Sequence, residues 1–95
     1  MKKKKIAVLG STGSIGVQAL KIIKEFSEDF ELSLISANSS DTLLLEQSLF
    51  FQPEHVIINT ESGYSYIKKN LRSPFTKLHL GGQALCDLIE SEDFD

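Results

Sequence analysis

Val8-Leu9-Gly10-Ser11-Thr12-Gly13-Ser14-Ile15-Gly16 is the stretch on which the reading of this chain turns. It begins inside an apolar run, Ile6-Ala7-Val8-Leu9, and then passes through glycines spaced G-x-x-G-x-x-G. An apolar run without alternation suits a strand buried on both faces. Beyond the turn, Ala19, Leu20, Ile22, Ile23 and Phe26 recur at helical spacing with Lys21, Lys24 and Glu25 between them, which predicts an amphipathic helix. The glycine turn therefore opens a helix, where unpaired amides and the helix dipole favour an anion. Each glycine then has a task. Gly10 lets the chain turn off the strand, Gly13 leaves room for a pyrophosphate against the backbone, and Gly16 allows the helix to pack closely on the sheet. The amides of Thr12 to Ile15 and the hydroxyls of Ser11, Thr12 and Ser14 are the expected donors. No Lys-Ser/Thr pair closes the loop, so it is not a Walker loop. The plain alternative is a tight turn with purely structural glycines. The flanking strand and helix favour a dinucleotide site instead.

Outward from that turn the pattern repeats. Phe30–Ala37 reads as a second strand. Asn38-Ser39-Ser40-Asp41 is loop and cap chemistry before a leucine-rich helix from about Thr42 to Phe51, closed by Pro53. Val56-Ile57-Ile58 is a third strand, and Tyr64, Ile67 and Leu71 line a third helix that Pro74 ends. Leu78-His79-Leu80 is a short fourth strand before Gly81-Gly82, and Ala84, Leu85, Leu88 and Ile89 make a last helix. Alternating strands and helices of this length predict an α/β fold, a Rossmann-like doubly wound parallel sheet with helices on both faces, of about four βα units. Residues 1–95 are read as one domain, ending where a further strand is due. In such a sheet the first strand is central, and the next strand would pair on its far side. On that reading the chain alone is marginally stable and carries no turnover.

The end of the second strand bears on which dinucleotide fits. NAD sites usually place a carboxylate there for the ribose 2′-hydroxyl. Ser36-Ala37-Asn38-Ser39-Ser40 holds none before Asp41, which favours NADPH. No Arg or Lys stands in that loop to pair with a 2′-phosphate. Elsewhere the composition is that of an ordinary globular domain, with a net charge of −3 that implies no nucleic-acid partner. Lys2–Lys5 reads as a solvated run, and the acidic stretch Glu90–Asp95 as a solvated tail. Cys86 stands alone, which excludes an internal disulfide and suggests a small core residue in a reducing, cytoplasmic compartment. The run after Lys5 is too short to span a membrane. His55 is expected to be a partly exposed residue leading into the third strand, and His79 a surface or satisfied core histidine. No His, Cys or carboxylate spacing predicts a metal site, and no catalytic residue is assigned.

The string GSTGSIG at Gly10–Gly16 closely resembles the opening of the 1-deoxy-D-xylulose 5-phosphate reductoisomerase family. Phe51-Gln52-Pro53-Glu54-His55-Val56-Ile57-Ile58 is similar to that family's Phe-x-Pro stretch, and Gly81-Gly82-Gln83-Ala84-Leu85 to its glycine-rich lead into the next helix. The resemblance implies that Thr12, Gly13, Ser14 and Ile15 contact the NADPH pyrophosphate and ribose. It also implies that Asn38-Ser39-Ser40 lies against the 2′-phosphate. Many members carry Gly-(Lys/Arg)-Asn there, and this chain departs from that triplet at each position. The resemblance further implies a sugar-phosphate substrate, isomerised and then reduced, a divalent metal (Mg or Mn) held outside this chain, and a homodimer. Two rivals stay open: an aspartate-semialdehyde dehydrogenase-like reductase, whose turn usually carries alanine, and a free-standing nucleotide-sensing module.

Overall fold

The apolar runs pair side by side in a computed structural model that describes residues 3–91. The elements are β1 Lys4–Val8, α1 Ser14–Glu25, β2 Phe30–Ala37, α2 Asp41–Phe51, β3 His55–Ile58, α3 Glu61–Asn70, β4 Lys77–Leu80 and α4 Gly82–Ser91. The strands form one parallel sheet in the order β1-β2-β3-β4. This is the Rossmann-like α/β architecture that the alternation predicts.

Sheet order and handedness together place the layers. Each crossover steps the same way along the sheet, so right-handed connections put α1, α2 and α3 on one face. There Leu20, Ile23, Leu44, Leu45 and Ile67 pack on Val8, Ile35, Ala37, Val56 and Ile58. Pairing of Ile35 with Val56 and Ala37 with Ile58 keeps this apolar set on one side. Leu34 and Ile57 point to the other side and are also buried. There α4 turns back against β3. Fully burying a side chain of this size contributes about 1.5–3 kcal/mol, so β2 and β3 are the stable centre.

Several local expectations are revised. β1 stops at Val8, its only buried residue; Leu9 is 53% exposed in the turn. β1 is an edge strand among the described residues. The third helix ends at Asn70, ahead of Pro74, because Leu71 adopts an extended conformation while still packing on the core. Cys86 is exposed rather than a core residue: on α4 it lies off the face carrying the half-buried Ala84, Leu85 and Leu88. His55 is buried, not partly exposed, because it faces the covered side of β3 beside Ile57. Its Nδ1 lies 3.1 Å from Nε2 of His79 on the neighbouring strand, and Glu54 is 3.8 Å from its other nitrogen. Lys2 and the tail from Glu92 to Asp95 lie outside the described residues. Among the described residues no helix is long and apolar enough to cross a membrane.

Candidate nucleotide-binding site

Parallel strands deliver their connecting loops to one end of the sheet, and in open α/β sheets ligands bind at that carboxyl end. Here the Leu9–Gly13 loop after β1 is bonded to the end of β2, from which the Asn38–Ser40 loop leads off. The Ser11 amide donates to the Ser36 carbonyl at 2.9 Å, and the Gly10 amide to the Ser36 hydroxyl at 3.2 Å.

The glycine turn has the shape its spacing demands. Gly10 has φ +70°, a conformation that L side chains rarely adopt. Gly16 sits so close to the incoming loop that a Cβ would lie 2.2 Å from the Gly10 carbonyl oxygen and 2.6 Å from Ser11 Cα. That contact seats the first turn of α1 on the end of β1. Gly13 is the helix cap, with φ −78°, and its amide closes back on the Gly10 carbonyl at 3.0 Å. Its need for a small residue is therefore one of open space above the loop, not of backbone conformation.

The open donors follow from this geometry. Among the described residues, the amides of Thr12, Ser14 and Ile15 meet no protein acceptor. No side chain caps α1, and no acid stands in its first turn, whereas α2 has Asp41 and α3 has both a Thr60 cap and Glu61. The positive end of the α1 dipole is left for an external anion. Thr12 is half-buried, and Ser14 and Ile15 are exposed, Ile15 at 87%. Asn38, Ser39 and Ser40 are exposed as well. Ser40 holds the cap position of α2 without a side-chain cap bond, so its hydroxyl stays available. Asn38 is steadied by Asn59, whose side-chain amide donates to Asn38 Oδ1 at 3.3 Å and whose backbone amide donates to its carbonyl at 3.3 Å.

Ser11 is the exception within the loop. Its hydroxyl is fully buried and donates to Gln47 Oε1 at 2.7 Å, with the Ser36 carbonyl 3.4 Å away. Gln47 Nε2 returns a bond to the Ser11 carbonyl at 2.8 Å. The Ser11 side chain is thus an anchor that faces inward, and the hydroxyls left to a ligand are those of the half-buried Thr12 and the exposed Ser14. Gln47, Ser36 and Asn59 were not singled out by the sequence reading. For Gln47 the sequence carries no signal: α2 has no apolar periodicity to mark its inward face, and only the fold buries Gln47 beside Leu44 and Ser48. A 630 Å³ cavity lined by Phe30, Phe50, Phe51 and Phe75 lies at the amino-terminal end of the sheet, away from these loops. The described residues hold no cluster of three His, Cys, Asp or Glu that could hold a metal ion.

The family model for 1-deoxy-D-xylulose 5-phosphate reductoisomerase matches residues 6–95. The chain belongs to the 1-deoxy-D-xylulose 5-phosphate reductoisomerase family. Among curated relatives, the reductoisomerase of Bacteroides fragilis is 44% identical over 95 residues, covering 100% of this chain and 24% of that protein. That of Saccharophagus degradans is 39% identical over 92 residues, covering 95% of this chain and 24% of its own length. The chain spans about a quarter of the length of the reductoisomerases it matches. Its fold is shared with the Zymomonas mobilis reductoisomerase solved in complex with NADPH, at a TM-score of 0.83 and 24% identity over 90% of this chain and 23% of that one. It is shared too with a reductoisomerase structure containing NADPH, fosmidomycin and magnesium, at a TM-score of 0.86 and 23% identity over 97% of this chain and 23% of that one.

Proposed function

We propose that this chain is the N-terminal NADPH-binding domain of a 1-deoxy-D-xylulose 5-phosphate reductoisomerase. That enzyme isomerises 1-deoxy-D-xylulose 5-phosphate and reduces the product to 2-C-methyl-D-erythritol 4-phosphate in non-mevalonate isoprenoid biosynthesis. The observation that carries the reading is the uncapped N-terminus of α1 on a loop where Gly10 has a positive φ and Gly16 leaves no room for a Cβ. Bound NADPH supplies a hydride. This chain's part is to hold and orient it: amides of Thr12, Ser14 and Ile15, with the Thr12 and Ser14 hydroxyls, toward the pyrophosphate, which Gly13 leaves room to approach, and Asn38, Ser39 and Ser40 toward the 2′-phosphate. Gly10, Ser11 and Gly16 shape the loop. Absence of a carboxylate before Asp41 supports NADPH over NADH, since a carboxylate there would repel the phosphate. The catalytic groups, the divalent metal and the sugar-phosphate site belong, on this reading, to parts of the enzyme beyond these residues, and the working form is a cytoplasmic homodimer. Family membership favours this over a free-standing nucleotide sensor. Fluorescence titration with NADPH and NADH is the test. Tighter binding of NADH would overturn the cofactor assignment, and NADPH turnover without 1-deoxy-D-xylulose 5-phosphate dependence would overturn the enzyme assignment.

A further inference from the structure

Gln47 is a buried polar side chain, 8% exposed, on a helix whose other inward positions are mostly apolar. Both ends of its amide are used on one residue: Nε2 donates to the Ser11 carbonyl and Oε1 accepts from the Ser11 hydroxyl. Ser11 is also bonded through its amide to Ser36 and lies under Gly16. A side chain that only needed satisfaction could have been replaced by leucine. This one instead ties helix α2 to the glycine loop. Gln47 stands on α2, whose first turn follows directly from Asn38–Ser40, and a helix holds its length rigidly, at about 1.5 Å per residue. The amide therefore sets the position of the glycine loop relative to the loop after β2.

We infer that Gln47 is a positioning residue that locks the pyrophosphate loop to the 2′-phosphate loop, so that both halves of the nucleotide meet preset partners. The inference rests on the nucleotide reading above. It separates Gln47 from residues that merely stabilise the fold, because its loss should be felt by a ligand that spans both loops and not by one that occupies a single loop.

The test titrates the protein at its natural length with NADPH and with 2′-AMP, which carries only the 2′-phosphate half. Gln47→Met keeps the volume and removes both bonds. It should weaken NADPH about tenfold, the scale of a lost buried hydrogen bond, and leave 2′-AMP affinity unchanged. Gln47→Glu adds a pH signature. As a carboxylate it faces the Ser11 carbonyl with no donor; once protonated it can donate to that carbonyl and accept from the Ser11 hydroxyl again. Its NADPH affinity, taken as a ratio to the parent at each pH, should be low above neutrality and recover on acidification. Should Gln47→Met fail to fold, that ratio decides alone. Equal losses for NADPH and 2′-AMP, or a Gln47→Glu ratio flat with pH, would overturn the positioning role. A folded parent protein that binds no NADPH would instead overturn the nucleotide reading beneath it.

Discussion

Gly16→Ala tests the contact that seats α1 on the glycine loop. The added methyl would lie 2.2 Å from the Gly10 carbonyl oxygen, 2.6 Å from Ser11 Cα and 2.9 Å from the Ser11 carbonyl carbon. The first of these is about 1 Å inside ordinary van der Waals contact. All are backbone atoms, so no rotamer change relieves them. Gly10 and Ser11 are also pinned by bonds to Ser36 and Gln47, so the loop cannot yield without loosening a buried pair. Overpacking costs about 1–3 kcal/mol, and a rigid obstacle places this case at the upper end. Alanine is the better helix former by about 1 kcal/mol, which offsets part of it. The net loss is about 2 kcal/mol, or about 8–16 °C in Tm for a cooperative unit of this size. Gly13→Ala is the control. Its φ is −78° and its Cβ would stand 3.5 Å from the nearest atom, so stability should change by less than about 1 kcal/mol. Gly13→Val should fold and yet lose NADPH, because its methyls occupy the space above the amides. Thermal unfolding and NADPH titration of the three variants read this out. Gly16→Ala as stable as the parent, or Gly13→Ala the more damaging of the two alanines, would refute the reasoning.

Two further outcomes follow from charge. The His79 pKa is held below the ordinary histidine value, first by burial, then by His55 and Lys77. Unfolded, it gains a proton at about pH 6.5, so as pH falls the unfolded state binds more protons than the folded one. Stability present at neutral pH is therefore lost on acidification through the folded pKa. Thermal melts across that range should show this loss, and His79→Gln should flatten it; an unchanged slope in the variant would exclude His79 as the cause. Ser39→Arg supplies the cation missing beside Asn38 and Ser40. It should tighten NADPH about tenfold through a charge-assisted bond and leave NADH unchanged. An equal gain for both nucleotides would remove Ser39 from the 2′-phosphate site.

Much of the scaffold was legible in the linear chain because its signals are local. Apolar runs, the glycine spacing and the prolines depend on near neighbours, so the strands, the helices and the loop with Gly10 and Gly16 could be read directly. Helix α2 could not be oriented this way. Its run Thr42-Leu43-Leu44-Leu45 continues into Leu49-Phe50-Phe51, apolar on every side, so no periodicity marks the face that turns inward. Only packing against β2 and α3 selects Leu44, Leu45, Gln47 and Ser48 as the buried set. The same holds wherever the partner is distant in sequence. Ser11 reads as a phosphate donor by its place in the loop, but Gln47, 36 residues away, takes its hydroxyl inward. His55 reads as a strand-start residue, but sheet register brings His79 beside it and buries it. By itself the sequence determined the α/β alternation, the glycine turn and its anion-binding character, since these follow from backbone sterics and near-neighbour pattern. Tertiary structure alone decided which polar groups face the ligand and which anchor the loop, because that depends on what the sheet brings opposite each side chain.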